Sequence, residues 1–152
     1  MLRAPAPLIG ALGVLMKITS GILTPEQMWK ELGALQSDLK TMGFIQIEVY
    51  WGWACNLPMD SIWKSEAIAV EHLVAHARHG ESSSIFEMGS SDLYVYGAND
   101  SFTCQFCHDS DIHLEGNFED MISEVRDRWI KLQFPGSTYT IDQWVPFSGT
   151  AA

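Results

Sequence analysis

The stretch SDLYVYGANDSFTCQFC, Ser91 to Cys107, decides how the rest of the chain is read. Its end, with the next residue, spells Cys104-Gln-Phe-Cys107-His108, which matches the C-x-x-C-H pattern of covalent haem attachment. The same residues also form the second arm of a hairpin: Asp92 to Tyr96, a turn at Gly97-Ala-Asn-Asp100, then Ser101 to Cys107. The two readings exclude each other. Side chains on a strand alternate, so cysteines three apart point to opposite faces and cannot reach one porphyrin edge. Phe102, Cys104 and Phe106 make one apolar face behind a well-formed turn, which favours the hairpin. Zinc meets the same obstacle. Cys104 and His108 share a face but sit roughly 13 Å apart at about 3.3 Å per residue. A structural zinc site wants four ligands, and the chain has no second C-x-x-C. No cofactor is expected, with Cys104 a small core residue and Cys107 a partly buried thiol.

Upstream of the hairpin, Thr24-Pro25-Glu26-Gln27 is a helix start with a capping box. Met28, Leu32, Leu35, Leu39 and Met42 follow at helical spacing until Gly43. Ile45, Ile47, Val49 and Trp51 then alternate as a half-buried strand. A second helix is expected from Asp60 or Ser61 to about His79, and a short strand from Ile85 to Met88. Downstream, Asp111 to Leu114 reads as extended up to Gly116. Asn117 then caps a last helix with a Phe118, Met121, Ile122, Val125, Trp129 stripe, ended by Pro135-Gly136. The tail from Thr138 to Phe147 reads as extended. This order gives an α+β domain: a largely antiparallel sheet packed with about three helices.

Residues 1–16 differ from the rest. One Arg precedes a short apolar run broken by Pro5 and Pro7, without an A-x-A-like site. They read as a non-structural N-terminal extension with translation starting at Met16, leaving 17–152 as one domain. The nineteen acidic and nine basic residues give a net charge of −10, which repels nucleic acid and anionic membranes and attracts a basic partner. Three cysteines argue against a disulfide framework and for the reducing cytoplasm.

Catalytic signatures are missing: there is no G-x-S-x-G elbow, P-loop or G-x-G-x-x-G, so the balance leans away from an enzyme. Asp111, His113 and Glu115 share one strand face, which reads as a solvated edge; the metal candidates are His108, Asp111 and His113. His72, His76 and His79 lie on one helix face turned to solvent. From Asp109 to Asp127 seven acidic residues meet one basic residue, Arg126. Only Glu119 and Asp120 have a local cause, the N-terminus of the last helix. Asp109, Asp111 and Glu115, with Trp53, are therefore the expected partner-binding residues.

The segment "SDLYVYGANDSFTCQFCHDSDIHLEG…EVRDRW" resembles a pattern in small bacterial proteins: a hairpin, a C-H-[DE]-S-D-I-H run, then a helix ending near Trp129. By size, acidity and layout the chain is also similar to immunity proteins of polymorphic-toxin systems. That resemblance implies a cytoplasmic, non-enzymatic inhibitor that blocks a basic toxin domain by steric and electrostatic occlusion. The alternative expectation is a metal-dependent enzyme or sensor built on His108, Asp111 and His113.

Overall fold

The computed structural model describes residues 15–132 and 142–144. Strands, most of which bury every second side chain, build a seven-stranded sheet among the described residues, and amphipathic helices cover one of its faces. The strands are β1 (Leu15–Thr19), β2 (Gln46–Trp51), β3 (Glu66–Ala69), β4 (Leu93–Tyr96), β5 (Phe102–Phe106), β6 (Ile112–Gly116) and β7 (Asp142–Trp144). They lie in the order β3-β2-β4-β5-β6-β1-β7, and every pairing is antiparallel. The helices are α1 (Pro25–Thr41), α2 (Leu73–Ser82) and α3 (Glu119–Lys131). The expected α+β class, with a largely antiparallel sheet and three helices among the described residues, is what the chain adopts.

The capping box forms as the sequence requires. Thr24 Oγ1 accepts from the Gln27 amide at 3.2 Å, and Gln27 Oε1 accepts from the Thr24 amide at 2.8 Å. α1 carries the chain across the sheet from β1 to β2 and buries Met28, Leu32, Leu35 and Leu39. These meet Ile18, Ile47, Val49, Leu93, Val95, Phe102, Cys104, Phe106, Ile112 and Leu114 from the inner face of the strands. α2 and α3 complete the layer through Leu73, Ala77, Met121, Ile122, Val125 and Trp129. Arg128 of α3 reaches two carboxylates of α1: its guanidinium binds both oxygens of Glu31 and lies 2.9 Å from Asp38 Oδ2. Glu31 is only 4% exposed, so this pairing satisfies a charge inside the helix layer.

Several expectations are corrected. The helix expected from residue 60 to His79 is a connection, then β3, a 3-10 turn at Val70–His72, and only then α2. Ala67 and Ala69 favour helix locally, but pairing with Glu48 and Gln46 on β2 outweighs that preference. Leu15 and Met16, placed with the N-terminal extension, begin β1; Met16 is buried and pairs with Gly116 and Gln143. Residues 1–14 lie outside the described residues. Ile45 precedes β2 and is exposed. Ile85 to Met88 contributes only an isolated bridge between Met88 and Ser91. Phe118, not Asn117, occupies the cap position of α3, without a side-chain cap. Of the tail, Asp142–Trp144 forms β7, and Pro135-Gly136 falls outside the described residues.

Candidate functional site

The described helices cover one face only, and the other face of the sheet carries the alternate residues. Two rows cross it. Tyr50, Tyr94, Gln105, His113 and Thr19 are register partners from β2 to β1. Glu48, Tyr96, Thr103, Glu115 and Lys17 form the next row. Tyr50 and Tyr94 stack with centroids 4.6 Å apart, and Tyr96 meets Tyr50 edge-on at 5.5 Å. Trp63, from the β2–β3 connection, packs against Tyr94 at 5.8 Å and Tyr50 at 6.0 Å while staying 48% exposed. Its backbone holds φ at 66°, an unusual conformation for a bulky side chain. Tyr96 donates to Ser65 Oγ at 2.6 Å, and Ser65 donates to Glu48 at 2.5 Å.

The ends of β2, β5 and β1 and the starts of β4 and β6 meet at one edge of this face. There a tight turn links β5 to β6. The Cys107 amide donates to the Asp111 carbonyl at 2.8 Å, the Ser110 amide to the Cys107 carbonyl at 3.0 Å, and Ser110 takes φ of 65°. The turn breaks the alternation, so Phe106 and Cys107 are both buried. It also gathers five polar side chains. Asp92, 2% exposed, accepts from the His108 amide and from His108 Nδ1, each at 2.7 Å. Cys107 Sγ lies 3.8 Å from His108 Nδ1 and accepts from the Asp109 amide at 3.5 Å. His113 Nε2 lies 3.1 Å from Asp111 Oδ1, and His113 Nδ1 lies 3.4 Å from Thr19 Oγ1. Two sets, Asp92–Cys107–His108 and Cys107–Asp111–His113, each bring their ligand atoms within 4.8 Å of one another.

This geometry is not that of a cysteine nucleophile. Burial, reinforced by the charges of Asp111 and Asp92 against the opposing Asp109 amide, pushes the Cys107 thiol up to about 11. Burial likewise pushes Cys55 up to about 11. Both are protonated thiols at neutral pH. The nitrogen of His108 nearest Cys107 is the one already bonded to Asp92, so His108 is not poised as a base for the sulfur. The Asp92 hydrogen bond, ahead of the opposing desolvation, holds the His108 imidazole above its ordinary range. His108 Nε2 is left near Asp109, at 3.6 Å from its carboxylate.

Three of the expected partner residues meet at this edge. Asp109 is exposed, Asp111 is half-buried, and Trp53 is 61% exposed on the loop after β2. The Trp53 carbonyl accepts from the Asp92 amide at 2.9 Å, which ties that loop to the cluster. Glu115 is on the same face, four residues beyond Asp111 on β6. The metal candidates His108, Asp111 and His113 fall into two sets that share only Cys107: His108 with Asp92, and Asp111 with His113. Only the turn at 107–111 brings them in, and five residues between a buried strand end and a renewed alternation are its only trace in sequence. The α2 histidines do not share a solvent face. His72 precedes the helix, and His76 stacks on Trp51 at 5.1 Å. Cys104 is buried in the core, on the far face from Gln105 and His113. No described helix is long and apolar enough to cross a membrane. No protein-family model, curated protein or solved structure matches the chain.

Proposed function

We propose that the chain is a non-enzymatic binding domain that holds a basic protein partner on the uncovered face of its sheet. One observation carries this reading: Tyr50, Tyr94, Tyr96 and Trp63 form a continuous aromatic platform on the face no described helix covers, with Glu48, Glu115 and Asp111 around it. Aromatic rings supply contact area at small entropic cost, and carboxylates beside them select and steer a cationic surface. The net charge of −10 supports the same partner chemistry. The strained Trp63 backbone supports a positioned contact, because such strain persists where a side chain must be held in place. Asp109 and Trp53 extend the surface at the cluster edge. In its narrower form the reading is an immunity-type inhibitor that occludes a basic toxin domain in the cytoplasm. Size, acidity and the α+β layout support that form.

The test uses the intact chain as bait, followed by reconstitution with the purified partner. Glu48→Gln, Asp109→Asn and Glu115→Gln together should slow association and flatten its salt dependence. Trp63→Ser should accelerate dissociation by about tenfold or more, the effect of losing a well-packed aromatic anchor. A complex that forms equally well with both variants would refute the assignment of this face.

A further inference from the structure

We propose that Cys107, Asp111 and His113 bind a divalent transition-metal ion, and that the mixed sulfur, oxygen and nitrogen donor set suits zinc. This stands independently of the partner reading. The three ligand atoms already lie within 4.8 Å of one another. Around a zinc ion, with Zn–S of about 2.3 Å and Zn–N of about 2.0 Å, donors sit roughly 3.5 Å apart, so side-chain adjustments of about an ångström close the site. The backbone beneath needs no change. The β5–β6 pairing between Phe106 and Ile112 and the Cys107–Asp111 hydrogen bond fix where all three residues start.

Two contacts outside the donor set point the same way. The Asp109 amide faces Cys107 Sγ at 3.5 Å, a hydrogen bond that favours a thiolate ligand. Thr19 Oγ1 meets His113 Nδ1 at 3.4 Å, which holds the ring with Nε2 3.1 Å from Asp111 Oδ1. The other set is the poorer ligand triad. Its Asp92 and His108 are already engaged with each other: Asp92 Oδ1 accepts from the His108 amide and from His108 Nδ1, each at 2.7 Å. Asp92 and His108 instead form the adjoining wall, with His108 Nδ1 3.8 Å from Cys107 Sγ. Three protein ligands leave a fourth position for water or another donor, as in zinc sites with an open coordination position.

The experiment titrates the chelator-treated, desalted full chain with cobalt(II), followed by zinc. One equivalent should saturate a thiolate-to-cobalt charge-transfer band, and zinc should displace it. Cys107→Ser should abolish the band. His113→Gln should weaken zinc binding by at least about tenfold, and Thr19→Val, which removes no ligand, by about tenfold. The pair His72→Gln and His79→Gln should leave binding unchanged. Absence of the band in the wild-type chain, or binding that follows the His72/His79 pair rather than His113, would overturn the site. Should Cys107→Ser fail to fold, the wild-type cobalt band and Thr19→Val still decide.

Discussion

Arg128→Met should destabilise the domain far more than an exposed ion pair would. The guanidinium joins α3 to α1 by binding both Glu31 oxygens and Asp38. Its removal leaves the Glu31 carboxylate, 4% exposed, without its cation. Breaking a buried pair this way costs about 3–5 kcal/mol; Arg128 and Asp38 keep about a quarter of their side chains in solvent, so the lower end applies, about 3 kcal/mol. With a urea m-value of about 1.5 kcal/mol per M, the midpoint should fall by roughly 2 M. Two further results separate this cause from lost packing. Glu31→Met with Arg128→Met should recover most of the loss, because an apolar pair of similar volume carries no buried charge. The single variant should also regain stability in acid. Burial already raises Glu31 above its ordinary value of 4.5, against the opposing Arg128 and Trp129 contacts. Without Arg128 the raised folded-state value places the stability at low pH, to be lost as pH rises above the unfolded value. A loss under about 1 kcal/mol, or a double variant no better than the single, would refute the reasoning.

The remaining predictions concern α1 and α2. Gly80→Ala should destabilise by up to about 2 kcal/mol although alanine favours helix, since overpacking costs about 1–3 kcal/mol and propensity returns about 1. Its Cβ would lie 2.5 Å from the Trp51 ring, which is wedged between His76 and Phe86. Gly33→Ala, with nothing within 4 Å, should instead stabilise, and urea midpoints of the two variants test the contrast. For His76, burial lowers the imidazole below 6.5, with His79 adding to the effect and Glu66, 3.8 Å away, opposing it. The neutral ring is therefore the folded form. Its contribution should be complete above the unfolded value of about 6.5 and lost as pH falls below it. Urea midpoints across that window should drop less for His76→Gln than for the wild-type chain, and parallel curves would sink the assignment.

Much of the architecture was legible because local signals and burial agree. The capping box at Thr24, the alternation of Ile47 and Val49, the 92–107 hairpin and the α3 stripe each state their own periodicity. β3 was not legible, because EAIA has helix-forming alanines and becomes a strand only through the β2 edge. β1 was hidden because Leu15 and Met16 continue an apolar run that reads as a non-structural extension. At the site, the outward face of Asp111, His113 and Glu115 followed from period two. Asp92 did not, because its partner His108 is sixteen residues away and the link is made by strand pairing. The Cys107 error has the same origin. Extending the β5 alternation by one residue sent its thiol to the wrong environment, whereas the turn starts there.

The position of the cluster follows from the strand order. An antiparallel sheet brings alternate strand starts and ends to each edge, so five strands converge where β5 turns into β6. The inner row at this edge must be apolar to seal the core, and Leu93, Phe106 and Ile112 are fully buried there. Any polar group one residue further has only the turn and the outer face to occupy. Asp92 accordingly spends its carboxylate on His108, pinning the β4 start to the β5–β6 turn, while its carbonyl takes the Gly52 amide at 3.0 Å. The turn is thus tied to β4 by Asp92 and closed on itself by the Cys107–Asp111 hydrogen bond. Such ties are what a loop needs to hold side chains at fixed separation. The outer row from Tyr50 through Tyr94 and Gln105 to His113 then joins the aromatic platform to the cluster across three strand pairings. Contacts at one end of that row are held in register with donors at the other by the backbone ladder itself.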